Sequence, residues 1–95
     1  MTVRLCVLLW ARPGCEAALA SYEDHVLLLM GDHGGRVLQR ARGDGSGDAP
    51  LEVQVVEFGS QPDLDSYLAD PRRTALAQDR EAAVARTEVF TVDLV

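Results

Sequence analysis

Val-Arg-Leu-Cys-Val-Leu-Leu-Trp-Ala, residues 3–11, is the stretch that decides the fold. It is rich in Val and Leu and ends at the Pro-Gly pair 13–14, a pattern typical of a β-strand followed by a turn. Because side chains alternate along a strand, Val7 and Leu9 share one face and Leu8 lies on the other. Both faces are therefore apolar. A sheet with one solvated face would alternate between apolar and polar residues, so the sequence predicts a sheet that is covered on both sides.

The remaining segments are predicted in the order helix, strand, strand, helix, strand, over residues 15–32, 36–42, 51–58, 60–85 and 87–95. The second helix is expected to break at Asp70-Pro71, because a proline disfavours helical backbone at the residue before it. This βαββαβ order predicts one domain over residues 1–95 with a ferredoxin-like α+β fold: an antiparallel four-stranded sheet with two helices on one face. The second sheet face is then covered most simply by the same face of another copy, as a homodimer.

Composition excludes several classes of function. The net charge is −6, and all nine basic residues are arginine, so the clustered positive surface that nucleic acids require is not expected. The longest apolar run is far shorter than the ~20 residues that cross a membrane, and we expect no membrane partner. Cys6 falls inside a strand and Cys15 at a helix start, so a disulfide is not expected and a cytoplasmic location is predicted.

Three short motifs carry a family resemblance: His33-Gly34-Gly35-Arg36-Val37-Leu38, Val55-Val56-Glu57-Phe58, and Tyr67-Leu68-Ala69-Asp70-Pro71 followed by Arg80. Together they resemble the DUF1330-type proteins of the dimeric α+β barrel superfamily. The resemblance implies a homodimer and a ligand cavity between the sheet and the helices. That superfamily includes cofactor-free monooxygenases, lactone isomerases, haem enzymes and many members with no assigned activity, so the resemblance implies a fold more than a reaction.

Three residues are candidates for catalysis: Tyr22, His25 and Arg80. Tyr22 and His25 lie three apart on the first helix and so face the same way, as a phenol and an imidazole that could move a proton. Arg80 lies on an apolar helical stripe, and a half-buried arginine needs a partner, either Glu57 or the carboxylate of a ligand. The structural alternatives stay open: a core tyrosine beside a partly exposed histidine, and an ion pair between Arg80 and Glu57.

Five further residues are candidates for ligand binding: Trp10, His33, Arg36, Glu57 and Tyr67. No metal site is predicted, because His25 and His33 have no third ligand at a recognised spacing, and no cofactor is expected. Cys15 at a helix N-terminus could alternatively be a reactive thiol.

Two functions from different classes remain open at this point. In the first, the protein is a dimeric binding or accessory module that holds a small, largely apolar or aromatic ligand, or no ligand at all. In the second, it is a cofactor-free monooxygenase, cyclase or isomerase acting on an aromatic or polyketide-like substrate. Tyr22 and His25 would then transfer protons and Arg80 would stabilise negative charge on oxygen. The first is favoured, because no nucleophile–base set can be read from the chain; whether the protein is an enzyme is left undecided.

Overall fold

A computed structural model describes residues 2–95. Its elements, in chain order, are β1 (Val3–Ala11), α1 (Glu16–Leu28), a 3-10 turn (Met30–His33), β2 (Gly35–Arg42), β3 (Glu52–Phe58), α2 (Gln61–Leu68), α3 (Pro71–Thr74), α4 (Ala77–Ala83) and β4 (Val84–Thr91). None of the helices described is both long enough and apolar enough to span a membrane.

The four strands form one sheet in the order β2-β3-β1-β4, with every neighbouring pair antiparallel. The central strand β1 pairs with β3 through Cys6 and Val55, and with β4 through Leu8 and Glu88. The helices pack on one side of this sheet, against Val7 and its neighbours. This confirms the predicted ferredoxin-like α+β fold.

Two clusters of buried residues lie between the helices and the sheet. One joins Leu9, Leu19, Leu51, Ala83 and Val84, and the other joins Met30, Val56, Phe58 and Tyr67. Strand alternation over the predicted range 51–58 would place Leu51 on the same face as Val53 and Val55, and the structure differs. Leu51 precedes β3, where strand alternation does not yet hold, and it packs with Leu9 on the helix side.

The second helical segment is broken where the sequence predicted. Ser60 caps α2, its Oγ accepting a hydrogen bond from the Asp63 amide at 3.2 Å. Asp70 caps α3, its Oδ1 accepting from the Arg72 amide at 2.8 Å, with Pro71 in the first turn. The helix was predicted to run to residue 85 and the last strand to begin at Thr87, whereas α4 ends at Ala83 and β4 begins at Val84. No Gly or Pro separates the two elements, so the sequence carried no boundary signal.

The other face of the sheet carries no helix, and we call it the open face. Its side chains alternate with those on the helix side, and its larger apolar members include Cys6, Leu8, Trp10, Val53, Val55 and Phe90. Phe90 is 48% exposed and the others are half-buried. Both cysteines are free thiols, and the cytoplasmic location inferred from them stays a prediction.

Candidate ligand cavity

A cavity of about 420 Å³ lies between the sheet and the helices. Its walls are mainly apolar and include Leu5, Val7, Val26, Met30, Val56 and Phe58. A smaller polar set also lines it: Glu23, Gln54, Tyr67, Arg73, Arg80 and Thr87. This combination of an apolar chamber with a few polar groups is the usual chemistry of a small-molecule site.

The helix break supplies one of the polar groups. Asp70 is only 5% exposed, and its carboxylate accepts hydrogen bonds from Arg72 Nη2 at 2.7 Å and, at the same distance, contacts His33 Nε2. The hydrogen bonds from Arg72, followed by that of His33, hold the pKa of Asp70 well below its usual range. This fixed corner orients α3 so that Arg72 points outward, where it also reaches Asp32, while Arg73 lines the cavity.

Arg73 lies against an aromatic ring, and one of its buried nitrogen atoms has no hydrogen-bond acceptor among residues 2–95. Its guanidinium carbon is 5.1 Å from the centroid of the Tyr67 ring, a cation–π arrangement. Its Nε is buried and has no hydrogen-bond partner among residues 2–95. Tyr67 donates instead to the backbone oxygen of Val26 at 2.9 Å. Burial is the main cause that raises the pKa of the Tyr67 phenol, and Arg73 opposes it.

Arg80 is the second arginine at the cavity. Its Nη2 donates to Thr87 Oγ1 at 3.0 Å. The ion pair between Arg80 and Glu57 that the sequence allowed does not form, because Glu57 lies on the other side of the sheet. There Glu57 accepts from Arg4 Nε at 2.8 Å and from Arg36 Nε at 3.2 Å.

A buried polar network forms one end of the cavity. Glu23 is 6% exposed, and its Oε1 accepts from Gln54 Nε2 at 2.7 Å. Burial raises the pKa of Glu23, against the opposing hydrogen bond from Gln54. Gln54 also donates to Glu52, a carboxylate that Arg40 holds with two hydrogen bonds of 2.7 and 2.8 Å. Glu23 is thus the acid that lines the cavity, and Glu52 lies behind it, paired with Arg40.

Of the residues predicted from the sequence, Tyr67 and Arg80 line this cavity. Tyr22 and His25 do lie together, but in a separate groove of about 370 Å³ that also includes Leu76 and Asp79. Tyr22 is buried there, and desolvation raises its pKa. His25 is exposed, with Nδ1 2.7 Å from the backbone oxygen of Ser21. The structure therefore does not bring these two residues to the same chamber as Arg80.

The other predicted ligand-binding residues lie elsewhere. Trp10 and the Arg36–Glu57 pair are on the open face. There Trp10 Nε1 donates to the backbone oxygen of Asp48 at 2.9 Å. His33 lines a surface cleft, with Nδ1 2.7 Å from Ser66 Oγ and Nε2 against Asp70. These residues have structural partners and do not line the cavity; a ligand role for them stays a prediction.

Sequence reasoning did not select Arg73 or Glu23. Glu23 follows Tyr22 on the first helix, and its charge suggested the solvent side. Arg73 follows an arginine that points outward, and which of the two turns inward depends on the phase of the short helix after Pro71. Within residues 2–95 no group of three or more His, Cys, Asp or Glu side chains could hold a metal ion.

Comparison with solved structures identifies the fold class. A protein of unknown function from Rhodopseudomonas palustris matches with a TM-score of 0.79 at 18% identity, over 99% of this chain and 82% of that one. A dimeric protein of unknown function with a ferredoxin-like fold from Bacteroides fragilis matches at 0.74 and 16%, over 98% and 96% of the two chains. A dabb family protein with a ferredoxin-like fold from Mesorhizobium loti matches at 0.69 and 13%, over 99% and 97%.

These likenesses establish a ferredoxin-like architecture that spans nearly the whole chain. At such low identity they carry the fold and not an activity. No protein-family model and no curated protein matches the sequence.

Proposed function

We propose that the protein binds a small, largely apolar molecule in the cavity between its sheet and its helices. The observation that carries this proposal is the chamber itself, about 420 Å³ with mainly apolar walls and a few polar groups. Ligand sites for small molecules are typically of ~300–1,000 Å³. An apolar chamber of this size that remained unfilled would forgo the packing contacts that stabilise a small domain.

Calorimetric titration with β-naphthamide, an uncharged aromatic probe, tests this function. We expect saturable binding to the wild-type protein and loss of binding in Val7→Phe, which places a larger side chain in the chamber. Val37→Phe is the matched control, because Val37 lies on β2 outside the cavity lining. Equal binding by both variants would contradict the proposal, as would a folded wild-type protein that binds neither this probe nor a charged analogue of the same shape. Native mass spectrometry of gently purified protein would in addition reveal any retained molecule.

We also propose that two copies associate through their open faces. The apolar side chains of this face, including Leu8 and Val55, are half-buried in one chain, and covering them would remove apolar surface from water. A two-fold axis would place the same patch against itself. The Bacteroides fragilis neighbour is described as dimeric, which supports self-association in this architecture.

The matched variants Leu8→Arg and Leu28→Arg test the dimer. Leu8 lies on the open face, whereas Leu28 is 82% exposed at the end of α1. By light scattering coupled to gel filtration we expect a dimer for the wild type and for Leu28→Arg, and a monomer for Leu8→Arg, since it places a larger, charged side chain in the middle of the contact. A monomeric wild type at micromolar concentration would refute the association.

A second candidate function, a cofactor-free isomerase, cyclase or monooxygenase acting on an aromatic or polyketide-like substrate, is favoured by one observation. Glu23, whose pKa is raised by burial, shares the cavity with Arg73 and Arg80. A carboxyl group poised to exchange a proton beside two cations suits enolisation of a bound ketone. Deuterium exchange into β-tetralone, followed by NMR, would show catalysis that Glu23→Gln abolishes; exchange no faster than in buffer would exclude this reaction.

Two finer assignments belong with these proposals. The His33–Leu38 and Tyr67–Pro71 motifs support placing the chain among the DUF1330-type proteins of the dimeric α+β barrel superfamily. The two free thiols support a cytoplasmic location.

A further inference from the structure

The arginines of this protein divide into two groups by their partners. Seven of the nine make a salt bridge to a carboxylate: Arg4, Arg12, Arg36, Arg40, Arg42, Arg72 and Arg86. Arg73 and Arg80 have no carboxylate partner among residues 2–95, and both line the cavity. The chain has fifteen acidic residues. Arg73 and Arg80 therefore lack a carboxylate partner because of where they lie, and not because the chain has too few acids.

The acidic residue at the cavity wall does not form an ion pair with either cation. Glu23 is the only acidic residue among the lining residues, and it accepts its hydrogen bond from Gln54. No salt bridge joins Glu23 to Arg73 or Arg80 within the described chain. The neighbours that do contact the two guanidinium groups are neutral, namely the Tyr67 ring and the Thr87 hydroxyl.

The Nε of Arg73 lacks a hydrogen bond, in addition to the missing carboxylate partner, because it is buried and has no acceptor among residues 2–95. A guanidinium N–H that is out of contact with solvent and without an acceptor is costly, because buried polar groups lose their hydrogen bonds to water. The fold keeps Arg73 in this position through the fixed Asp70 corner rather than letting it turn outward like Arg72. A bound acceptor would remove that cost.

We propose that the ligand of this cavity is an organic acid, held by its carboxylate against Arg73 and Arg80 with its apolar body against Leu5, Val56 and Phe58. The inference rests on the proposed function of the cavity and names its ligand class. An inorganic anion would satisfy the arginines but leave the apolar chamber empty.

Paired titrations of the wild-type protein with β-naphthoate and β-naphthamide test the charge preference without any mutation. The two probes have the same shape and differ in charge. Because hydrogen bonds to charged groups contribute about 1.5–3 kcal/mol, we expect β-naphthoate to bind roughly 10- to 100-fold more tightly. Arg73→Gln and Arg80→Gln should each reduce this ratio toward one by weakening only the acid. Arg12→Gln, which removes an exposed arginine paired with Glu81, is the matched control and should retain the ratio.

The Nε–H resonance of Arg73 in a ¹⁵N-correlated NMR spectrum gives a second readout that does not depend on a variant folding. It is expected to shift downfield with saturating β-naphthoate and to move little with β-naphthamide. If the amide binds as tightly as the acid, the ligand is not an acid, although the cavity still binds small molecules. If neither probe binds the folded protein, both this inference and the binding function are refuted.

Discussion

Replacing Arg40 with methionine tests how the protein holds its most buried charge. The Glu52 side chain is fully buried, and each of its oxygens accepts two hydrogen bonds. Oε1 accepts from Arg40 Nε at 2.7 Å and Gln54 Nε2 at 3.1 Å, and Oε2 accepts from Arg40 Nη2 at 2.8 Å and Arg42 Nη2 at 3.0 Å. Arg40→Met keeps an apolar stem of similar reach and removes two of these four donors.

The expected loss follows from the charge that is left behind. Breaking a buried ion pair from one side costs about 3–5 kcal/mol. Because Arg42 and Gln54 still contact Glu52 in the variant, we expect the lower end, about 3 kcal/mol in the free energy of unfolding. For a domain of this size that corresponds to a fall in Tm of roughly 12–24 °C. The lost contact between Arg40 and the exposed Asp24 adds little.

Urea unfolding at fixed protein concentration, followed by circular dichroism, measures this loss for Arg40→Met, Glu52→Gln and the double variant. Removing the carboxylate charge also removes the reason for the penalty, so the double variant should be more stable than Arg40→Met alone. In the wild type, burial raises the pKa of Glu52, but hydrogen bonds from Arg40 and Gln54 outweigh it and hold the pKa low.

The pH dependence gives a second check on the same carboxylate. The wild-type contribution is present above the unfolded-state pKa of Glu52 and is lost as the pH falls through the lower folded-state value. The deficit of Arg40→Met should therefore shrink as the pH falls below about 4.5, the ordinary pKa of Glu52. A double variant no more stable than Arg40→Met, or a deficit independent of pH, would refute the account.

Three further substitutions test the cavity walls. Gly35→Ala should cost about 1–3 kcal/mol in urea unfolding, since its Cβ would lie 2.5 Å from Phe58 Cε1. Glu23→Gln should become more stable relative to wild type as the pH rises above 4.5, the ordinary pKa of Glu23. Burial raises the pKa of Glu23 in the folded state, so above pH 4.5 the wild type must bury a charge that the variant lacks. Thermal melts from about pH 4 to pH 8 measure this difference. Tyr67→Phe should lose about 1 kcal/mol in urea unfolding by removing the bond to the Val26 oxygen, and should still bind β-naphthamide.

The first two substitutions each have a control variant, and the third has an outcome that would contradict the expectation. Gly31→Ala, where a Cβ would meet no atom within 4 Å, should change stability far less than Gly35→Ala, and equal losses would contradict the steric argument. Glu16→Gln, in the first turn of the same helix, should not reproduce the pH trend of Glu23→Gln. A Tyr67→Phe variant that failed to bind the probe would show that the phenol itself holds the ligand.

The fold could be predicted from the sequence because its signals are local. The two-sided apolar pattern of residues 3–11, the Pro-Gly pair 13–14 and the Asp70-Pro71 break each act within a few residues. Together they limit the chain to one topology. The boundary at Val84 was missed for the converse reason, since helix and strand meet there without a residue that disfavours either.

The site was only partly predictable because its members depend on which side of an element each side chain occupies. Arg80 was found because it continues an apolar helical stripe, and Tyr67 was found as an aromatic residue that could line a cavity. Arg36 and Glu57 were selected as ligand contacts although strand alternation places Glu57 opposite Phe58, toward the open face. Arg73 could not be selected, because its direction is set by Asp70, which is held in turn by a residue from another element.

The break between α2 and α3 connects the fold to the chemistry of the cavity. Without Pro71, α2 and α3 would form one continuous helix with side chains at 3.6-residue spacing. An apolar stripe along such a helix could fill the chamber completely. The break instead begins a new helical turn, and Asp70 fixes it from outside through Arg72 and His33. These contacts of Asp70 hold the start of α3 in place. Arg73 can therefore face the cavity without a carboxylate partner to fix its direction. Seven of the other eight arginines pair with a carboxylate of the chain, whereas Arg73 lines the cavity without one among residues 2–95. In the proposal above, a bound acid supplies the carboxylate that Arg73 lacks.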